Sequence, residues 1–325
     1  MAAVKFGLFV PQGWIMDLAD IEDPVDKYEA MTRVAKSAER LGFDSIWLFD
    51  HFHTYHTPVL ETVFECWTAT AALARDTTTI RLGQMVTCNS YRNPALMAKM
   101  ASTVDVLSHG RLDFGIGAGW YEEEYLAYGY EFPPTPGDRL RRLEEALQVI
   151  RAMWTEPYAK FEGQFYRADG AINEPKGVQK PHPPIWIGGE GEKVTLKLAA
   201  KYGDAINLGG HLDDMGYYRH KLDVVKAHCD SVGRDPADLI HSANIETTLL
   251  QPGDDATALT ARYRRGESLE EYRTHAVVGG PQEVIDTYAR VIEAGMDYIV
   301  VSDLPGIATT DILERVATEV LPAFK

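Results

Sequence analysis

The chain of 325 residues carries 32 Lys and Arg against 48 Asp and Glu, so its formal net charge is −16. Hydrophobic residues make up 45% and charged residues 25% of the sequence, which is typical of a globular protein and excludes a disordered or collagen-like chain. The acidic field repels a phosphate backbone and argues against a nucleic-acid partner. We expect no membrane partner, because no apolar run reaches the ~18 residues of a spanning helix.

The number and spacing of the cysteines indicate the cellular compartment in which the chain folds. Cys66, Cys88 and Cys229 fit no zinc-binding spacing, and three cysteines cannot all pair within one chain. We therefore expect reduced thiols in a cytoplasmic protein. The apolar run near the N-terminus is too short for a secretion signal and predicts a first strand.

Short apolar runs alternate with helical patterns along the whole chain. The predicted strands cover 4–11, 44–52, 80–87, 111–119, 184–189, 204–209, 240–250 and 297–303. The predicted helices cover 26–41, 64–75, 93–108, 137–154, 192–202, 214–232, 281–294 and 310–321. This alternation predicts an α/β fold, a closed (β/α)8 TIM barrel, as a single domain over 1–325. An open doubly wound sheet is disfavoured, because no G-x-G-x-x-G turn follows the first strand.

Two stretches, 155–183 and 251–280, are longer than ordinary barrel loops and predict insertion or lid segments. Plain surface decoration explains them equally well. Three arginines of the second stretch could bind an anionic substrate, although a solvated charge run is the simpler interpretation: Arg262, Arg264 and Arg265.

Chemistry in such a barrel is expected where the strands end. Glycines 188, 189 and 191 precede a predicted helix, and this arrangement suits either an anion or a plain tight turn. Glycines 115, 117 and 119 leave room for a flat ligand or permit close packing inside the barrel.

His51 and His53 lie two residues apart at the end of the second predicted strand, so both can face one side. One interpretation is a metal pair completed by His211 and Asp303, which predicts a metal-dependent hydrolase. Another is a single histidine that donates or accepts a proton. A third is a hydrogen-bonded structural histidine beside Asp50.

Three segments carry a resemblance to a known family: PALMAKMASTVDVLSHGRLDFGIGAGWYEEEY, PHPPIWIGGEGEKVTLKLAAKYGDAIN and the DHF after the second strand. They resemble the bacterial luciferase-like oxidoreductase superfamily, and within it the branch that uses coenzyme F420. The resemblance runs from Lys5 to the last strand. It implies a barrel that holds a deazaflavin ring at its mouth, hydride transfer to or from an unidentified small organic substrate, and a homodimer.

The resemblance also implies site residues. Asp50 and His51 would lie beside the ring, with His51 as the catalytic proton donor or acceptor. A non-proline cis peptide would fall at Gln84–Met85, with Thr87 as a polar contact. The contacts on the phosphate side of the cofactor map onto Ala118, Gly119, Glu123, Gly189, Glu190, Gly191, Lys193 and Val194. The aromatic residues near the mouth that could line the substrate pocket are Trp14, Phe52, Tyr55, Trp120 and Tyr121.

The sequence departs from one group of that branch. Its sugar-phosphate dehydrogenases carry an acidic residue where this chain has Trp120 and an asparagine where it has Glu123, so glucose 6-phosphate oxidation is not expected. The alternatives to an F420-dependent oxidoreductase are an FMN-dependent monooxygenase of the same architecture, the metal-dependent hydrolase, and a non-catalytic cofactor-binding protein.

Overall fold

The computed structural model describes residues 4–325, which form twelve strands. In chain order these are β1 Lys5–Phe9, β2 Ser45–Leu48, β3 Arg81–Gln84, β4 Thr87–Cys88, β5 Leu112–Gly117, β6 Ala159–Glu162, β7 Arg167–Ala171, β8 Ile185–Gly188, β9 Ala205–Leu208, β10 Ile240–Leu249, β11 Ala276–Gly279 and β12 Tyr298–Ser302. The barrel strands are mostly buried along their length, as expected for parallel strands that are covered on both faces, whereas β6 and β7 form a separate, partly exposed antiparallel hairpin.

Eight of these strands close a parallel barrel in the order β1, β2, β3, β5, β8, β9, β10 and β12. The barrel closes where β12 pairs with β1, with Phe6 opposite Ile299. The two-residue strand β4 follows a bulge after β3 and pairs with β5, with Thr87 opposite Ile116. The predicted (β/α)8 TIM barrel is confirmed.

Helices fill the connections between the barrel strands. They are α1 Pro24–Leu41, α2 Cys66–Asp76, α3 Pro94–Leu107, α4 Glu122–Ala127, α5 Pro136–Thr155, α6 Thr195–Tyr202, α7 Met215–Val232, α8 Ala256–Thr260, α9 Leu269–Tyr272, α10 Pro281–Glu293 and α11 Asp311–Arg315. The Asn93 side chain caps α3 by accepting from the Ala95 N–H, as its position before a proline indicates. None of the helices in 4–325 is both long and apolar enough to cross a membrane.

Two helices differ from their predicted bounds by more than two residues at one end. Helix α6 begins at Thr195 rather than at residue 192, because the glycine-rich turn continues further, with Gly189 at a φ of 118°. The last predicted helix is regular only in α11, and wider and tighter turns follow it over Val316–Val320 and Leu321–Phe324.

Large aromatic side chains fill the inside of the barrel. The Trp186 ring lies 4.7 Å from that of Trp47 and 5.2 Å from that of Tyr298, and all three residues are buried. Small residues on neighbouring strands make this possible: a Cβ on Gly83 would lie 2.8 Å from the Trp47 ring. The packed interior leaves the carboxyl ends of the strands as the place where a ligand can enter.

The two long segments have different positions. Segment 155–183 contains the hairpin β6–β7 and packs on the outer wall, where Asn173 donates to Ser102 of α3 and Glu145 of α5 accepts from the Phe165 N–H. Segment 251–280 contains α8, α9 and β11, and its Tyr263 and Tyr272 pack in one cluster with Trp14. The second segment therefore reaches the barrel mouth.

Candidate active site

Two adjoining cavities open at the carboxyl ends of the strands. The first has a volume of about 180 Å³ and its lining includes Trp14, Asp50, His51, Thr87 and Tyr91. The second has a volume of about 310 Å³ and its lining includes Gly117, Ala118, Gly188, Gly189 and Thr195. Both are lined by Met85, Val86, Gly119 and Trp120, so we describe the two cavities together as the cleft.

His51 lines the cleft and is held by a buried carboxylate. Its Nδ1 lies 2.9 Å from Oε2 of Glu124, whose side chain is fully buried. The same carboxylate accepts from the Tyr91 hydroxyl at 2.6 Å and from the Phe52 N–H at 2.6 Å. Burial raises the pKa of Glu124, but these hydrogen bonds outweigh it and hold that pKa below its usual value. An ionised Glu124 fixes the proton of His51 on Nδ1 and leaves Nε2 for the cleft.

Asp50 also lines the cleft, but its carboxylate is turned toward an arginine. Arg92 donates to both of its oxygens, at 2.7 and 3.0 Å, and the Cys88 N–H donates to it at 2.8 Å. Burial raises the pKa of Asp50 above its usual value, because it outweighs the lowering effect of Arg92. Arg92 also pairs with Glu65 at 2.5 Å, so these groups form a closed ion-pair network below the cleft.

The bulge between β3 and β4 forms one floor of the cleft. The cis peptide joins Met85 to Val86, one residue later than the predicted Gln84–Met85 bond. The Gln84 side chain points the other way and donates to Thr70 of α2, so the structure does not bring it into the cleft. Thr87 does line the cleft, and its buried hydroxyl has no hydrogen-bond partner in the part of the chain that the structure describes.

Glycines at the end of β5 leave the side of the cleft that faces the bulge free of side chains. A Cβ on Gly117 would lie 2.7 Å from Val86, and one on Gly119 would lie 1.9 Å from the Tyr125 hydroxyl. Gly119 also has a φ of 78°, which favours glycine. Ala118 lines the cleft beside them. Glu123, by contrast, is exposed and accepts from the Tyr121 hydroxyl at 3.3 Å.

The remaining predicted cofactor contacts lie in the turn between β8 and α6, and only one of them lines the cleft. Gly189 lines the cleft, whereas Glu190 is bound within the protein by the Gly209 N–H at 2.6 Å and the Tyr217 hydroxyl at 2.7 Å. Burial raises the pKa of Glu190, but these bonds bring it below its usual value. The other predicted residues of the turn are exposed and lie outside the cleft lining: Gly191, Lys193 and Val194.

Aromatic rings form one side of the cleft. Trp14, Trp120 and Tyr121 line it, Tyr55 packs behind them, and we call these four residues the aromatic wall. The Trp14 ring stacks on His51 at 4.3 Å and on Tyr55 at 4.9 Å. The Trp120 ring lies 5.3 Å from that of Tyr55 and 5.2 Å from that of Tyr121. Phe52 is directed away from this wall, because its ring packs 4.6 Å from Tyr91 and 4.5 Å from Tyr128.

The structure separates the four residues of the predicted metal site. His51 binds Glu124, His53 lies 3.2 Å from the Thr54 carbonyl, and Asp303 binds Arg265. His211 stacks on Tyr217 at 3.6 Å. Across residues 4–325 the structure contains no group of three or more His, Cys, Asp or Glu side chains that could hold a metal ion.

A charged cluster that sequence reasoning missed lies beyond Tyr55. Arg265 donates to Asp303 at 2.7 Å and lies 3.3 Å from Glu246, and we call these three residues the carboxyl–arginine cluster. The side chain of Arg265 is 23% exposed, so it is neither a free anion site nor part of a solvated charge run. Arg262 instead donates to the Met16 carbonyl, and Arg264 to the Glu267 carbonyl.

Glu124, Arg92 and Thr195 are the other site residues that the sequence did not indicate. Glu124 follows Glu122 and Glu123 in a run that looks like an exposed acidic face, and only the first turn of α4 turns it inward. Thr195 is buried at the start of α6 and lines the cleft. One indication of these three residues was present in the sequence: each follows the carboxyl end of a predicted barrel strand, where active-site residues are expected.

Comparison with known proteins identifies the family. Residues 4–272 match the Luciferase-like monooxygenase family. The chain belongs to this family. The resemblance expected from the three sequence segments is therefore confirmed.

Individual relatives cover nearly the whole chain. The 5,10-methylenetetrahydromethanopterin reductase of Archaeoglobus fulgidus is 26% identical over 343 aligned positions, which cover 93% of this chain and 98% of the reductase. The F420-dependent glucose-6-phosphate dehydrogenase of Amycolatopsis mediterranei is 26% identical over 331 positions, 91% of this chain and 94% of that enzyme.

A solved structure shares the fold. The F420-dependent secondary alcohol dehydrogenase in complex with an F420-acetone adduct superposes with a TM-score of 0.81. It is 22% identical to this chain, and the superposition covers 99% of both chains. This likeness shows that the two chains share one fold over their whole length.

Proposed function

We propose that this protein is an oxidoreductase that transfers a hydride between coenzyme F420 and a small organic substrate, with His51 moving the accompanying proton. The observation that carries the proposal is the pairing of His51 with the buried carboxylate of Glu124 on the wall of a cleft that can take a flat ring. Two relatives aligned over more than nine-tenths of the chain support the choice of reaction, since one is a reductase and the other is named as F420-dependent.

The residues of the cleft fit a deazaflavin. Gly117 and Gly119 leave their part of the lining without side chains, and Val86 lies beside them. Thr87 offers a buried hydroxyl that has no partner among residues 4–325. A buried polar group without a partner costs free energy unless a ligand satisfies it. We propose that Thr87 binds a polar edge of the cofactor ring, and that Ala118, Gly119 and Gly189 contact the cofactor further along the cleft.

Coenzyme F420, when bound, supplies or accepts a hydride, while the protein provides the pocket and the proton. The residues of this chain divide that task. His51 holds the exchangeable proton at Nε2, because Nδ1 donates to Glu124. The ionised Glu124 stabilises the positive charge that His51 carries when both nitrogens are protonated. Trp14, stacked on His51, covers one face of the imidazole, and the Trp120 ring lies 5.9 Å from it.

The second candidate is a monooxygenase that uses FMN, because the matched family is described as luciferase-like monooxygenases. Both cofactors present a tricyclic ring to the same cleft. Reduced flavin reacts readily with oxygen and reduced deazaflavin does not, so the two candidates predict different oxygen chemistry.

A fluorescence titration of the purified protein with coenzyme F420, run beside FMN, tests the cofactor. We expect micromolar binding of F420 and much weaker binding of FMN. The reverse preference, together with oxygen consumption by the protein and reduced FMN, would replace the proposal with the monooxygenase. Binding of neither would refute both.

Substitution of His51 tests the proton role. We expect His51→Gln to lower turnover by roughly a hundredfold or more while F420 binding changes little, because general acid–base catalysis commonly contributes that much. His53→Gln is the matched control, since His53 lies two residues away and outside the cleft lining. Equal effects of the two substitutions would contradict the role assigned to His51.

A further inference from the structure

The carboxyl–arginine cluster leaves no arginine available to a ligand at the mouth. Arg265 directs its guanidinium at Asp303, 2.7 Å away, and at Glu246, 3.3 Å away. Its other side lies over the Tyr55 ring, 5.4 Å from the ring centroid. The cluster therefore forms the backing of the aromatic wall, and its single cation is already engaged.

The charges of this region do not sum to a positive value. Two carboxyl groups face one arginine, and Asp17 is a further acid near Asp303. His275 lies 4.0 Å from Glu246, but it also pairs with the carboxylate of Glu267 at 2.9 Å. Burial raises the pKa of both Asp303 and Glu246. Even if the two carboxyls share one proton, they and the arginine sum to zero, so an anion gains no Coulomb attraction here.

The cleft itself is equally free of unpaired cations. No lysine or arginine appears among the described residues that line either cavity. The ionisable groups of the first cavity that act near neutral pH are Asp50, bound by Arg92, and His51, bound by Glu124. The lining of the second cavity contains no acid, base or histidine. The second cavity is the part of the cleft assigned to the cofactor, so the substrate lies over the ring in the first cavity, where an anionic substrate would lose its hydration without gaining a cationic partner.

From this distribution of charge we infer that the substrate is an uncharged organic molecule with a flat or apolar body, and that the carboxyl–arginine cluster disfavours carboxylate and phosphate analogues. The inference rests on the hydride transfer proposed above and names the substrate class of that same site. The aromatic wall supplies the attraction, because the half-exposed Trp120 lines the first cavity together with Tyr121 and the edge of the buried Trp14. Sugar phosphates, the substrate class in the name of one relative, are disfavoured on physical grounds.

A pair of probes with the same shape and different charge tests the inference. 4-Acetylbenzamide and 4-acetylbenzoate share an aryl ketone and differ in one neutral or ionised group. By isothermal titration calorimetry of protein loaded with F420, we expect the amide to bind at least about tenfold more tightly than the carboxylate, since a desolvated, unpaired charge costs that much or more.

Substitution of the cluster should reverse this discrimination. Asp303→Asn combined with Glu246→Gln removes both negative charges with little change of shape and releases Arg265. We expect the affinity for 4-acetylbenzoate to rise by about fivefold or more, because the charge behind the aromatic wall is then that of Arg265 alone, which attracts a carboxylate through space. Adding Arg265→Met should abolish that gain. Glu144→Gln is the control, because it removes an exposed carboxylate paired with Lys201 on the outer wall and should change neither affinity.

The outcomes separate the two proposals. Failure to load F420 refutes the proposed cofactor, and the same calorimetry on FMN-loaded protein then still tests the charge discrimination. A loaded wild-type protein that binds the carboxylate as tightly as the amide, or that binds neither probe, overturns the substrate class. Unchanged carboxylate binding in the folded double variant, verified by circular dichroism, overturns the role of the cluster.

Discussion

The stability of this protein should depend on the ionisation of Asp17, which lies in the turn after β1. Its carboxylate accepts from the Gly13 N–H at 2.6 Å and from the Gln12 N–H at 3.2 Å. No cation offsets its burial, and the nearby Asp303 adds repulsion, so the pKa of Asp17 is raised to about 7. In the unfolded chain the ordinary value near 3.8 applies.

The sign and size of the effect follow from linkage. A carboxyl with a raised pKa binds its proton more tightly in the folded state, so its contribution is fully present below about pH 4 and is lost as pH rises through about 7. One pKa unit corresponds to about 1.36 kcal/mol. Between pH 5 and pH 8 the loss amounts to roughly 1–3 kcal/mol, where the lower figure allows for the partial exposure of the side chain to water.

Urea unfolding of the wild type and of Asp17→Asn at pH 5 and pH 8 measures the pH-dependent contribution of Asp17 to the free energy of unfolding. The amide keeps one backbone acceptor and does not titrate, so it adds a constant cost of roughly 1 kcal/mol and removes the pH-dependent part. We expect the wild type to lose roughly 1–3 kcal/mol more than the variant over this range. Asp20→Asn, an exposed neighbour, should follow the wild type. Parallel pH curves for the wild type and Asp17→Asn would refute the reasoning.

Three further substitutions test the cleft. Gly119→Ala places a methyl group 1.9 Å from the Tyr125 hydroxyl, at a residue whose φ is 78°. Urea unfolding should show that the free energy of unfolding falls by roughly 2–4 kcal/mol. Gly129→Ala is the control, because Gly129 has a φ of 75° but open space around it, and it should cost roughly 1 kcal/mol. Thr87→Val should leave stability unchanged or higher and weaken F420 binding by about fivefold to tenfold, as fluorescence titration would show. Glu124→Gln should slow turnover by about tenfold to a hundredfold with a smaller change in KM, because the amide cannot stabilise a charged His51; an unchanged rate would contradict this.

The sequence predicts the barrel well because its periodic signals are local. Short apolar runs, the Asn93-Pro94 helix start and the absence of a glycine fingerprint after the first strand are each visible within a few residues, and the structure confirms all eight barrel strands. The predicted helix bounds are wrong where a helical pattern overlaps with residues that favour a turn. At 189–194 a glycine-rich turn delays α6, and after Arg315 the regular helix gives way to wider turns.

The site was less predictable because side-chain direction depends on the tertiary packing. Gln84 and Thr87 lie three residues apart around a cis peptide, and only Thr87 faces the cleft. Glu124 sits in an acidic run whose neighbours are exposed, and nothing in the run distinguishes it. Arg265 meets its carboxylates across 19 and 38 residues of chain, a distance over which no spacing rule applies.

The charged groups around the mouth share one arrangement. Asp50 is bound by Arg92, Glu124 by His51 and Tyr91, and Asp303 by Arg265. Each of these charges is paired within the protein. Among the described residues, the cleft therefore offers a ligand the aromatic wall, the glycines of β5, the Thr87 hydroxyl and the second ring nitrogen of His51. A cleft of this kind has little reactive chemistry of its own, and its low polarity would strengthen each remaining hydrogen bond to a ligand. Such a site acts only when a cofactor brings the redox chemistry, which is why the paired charges and the proposed cofactor support the same conclusion.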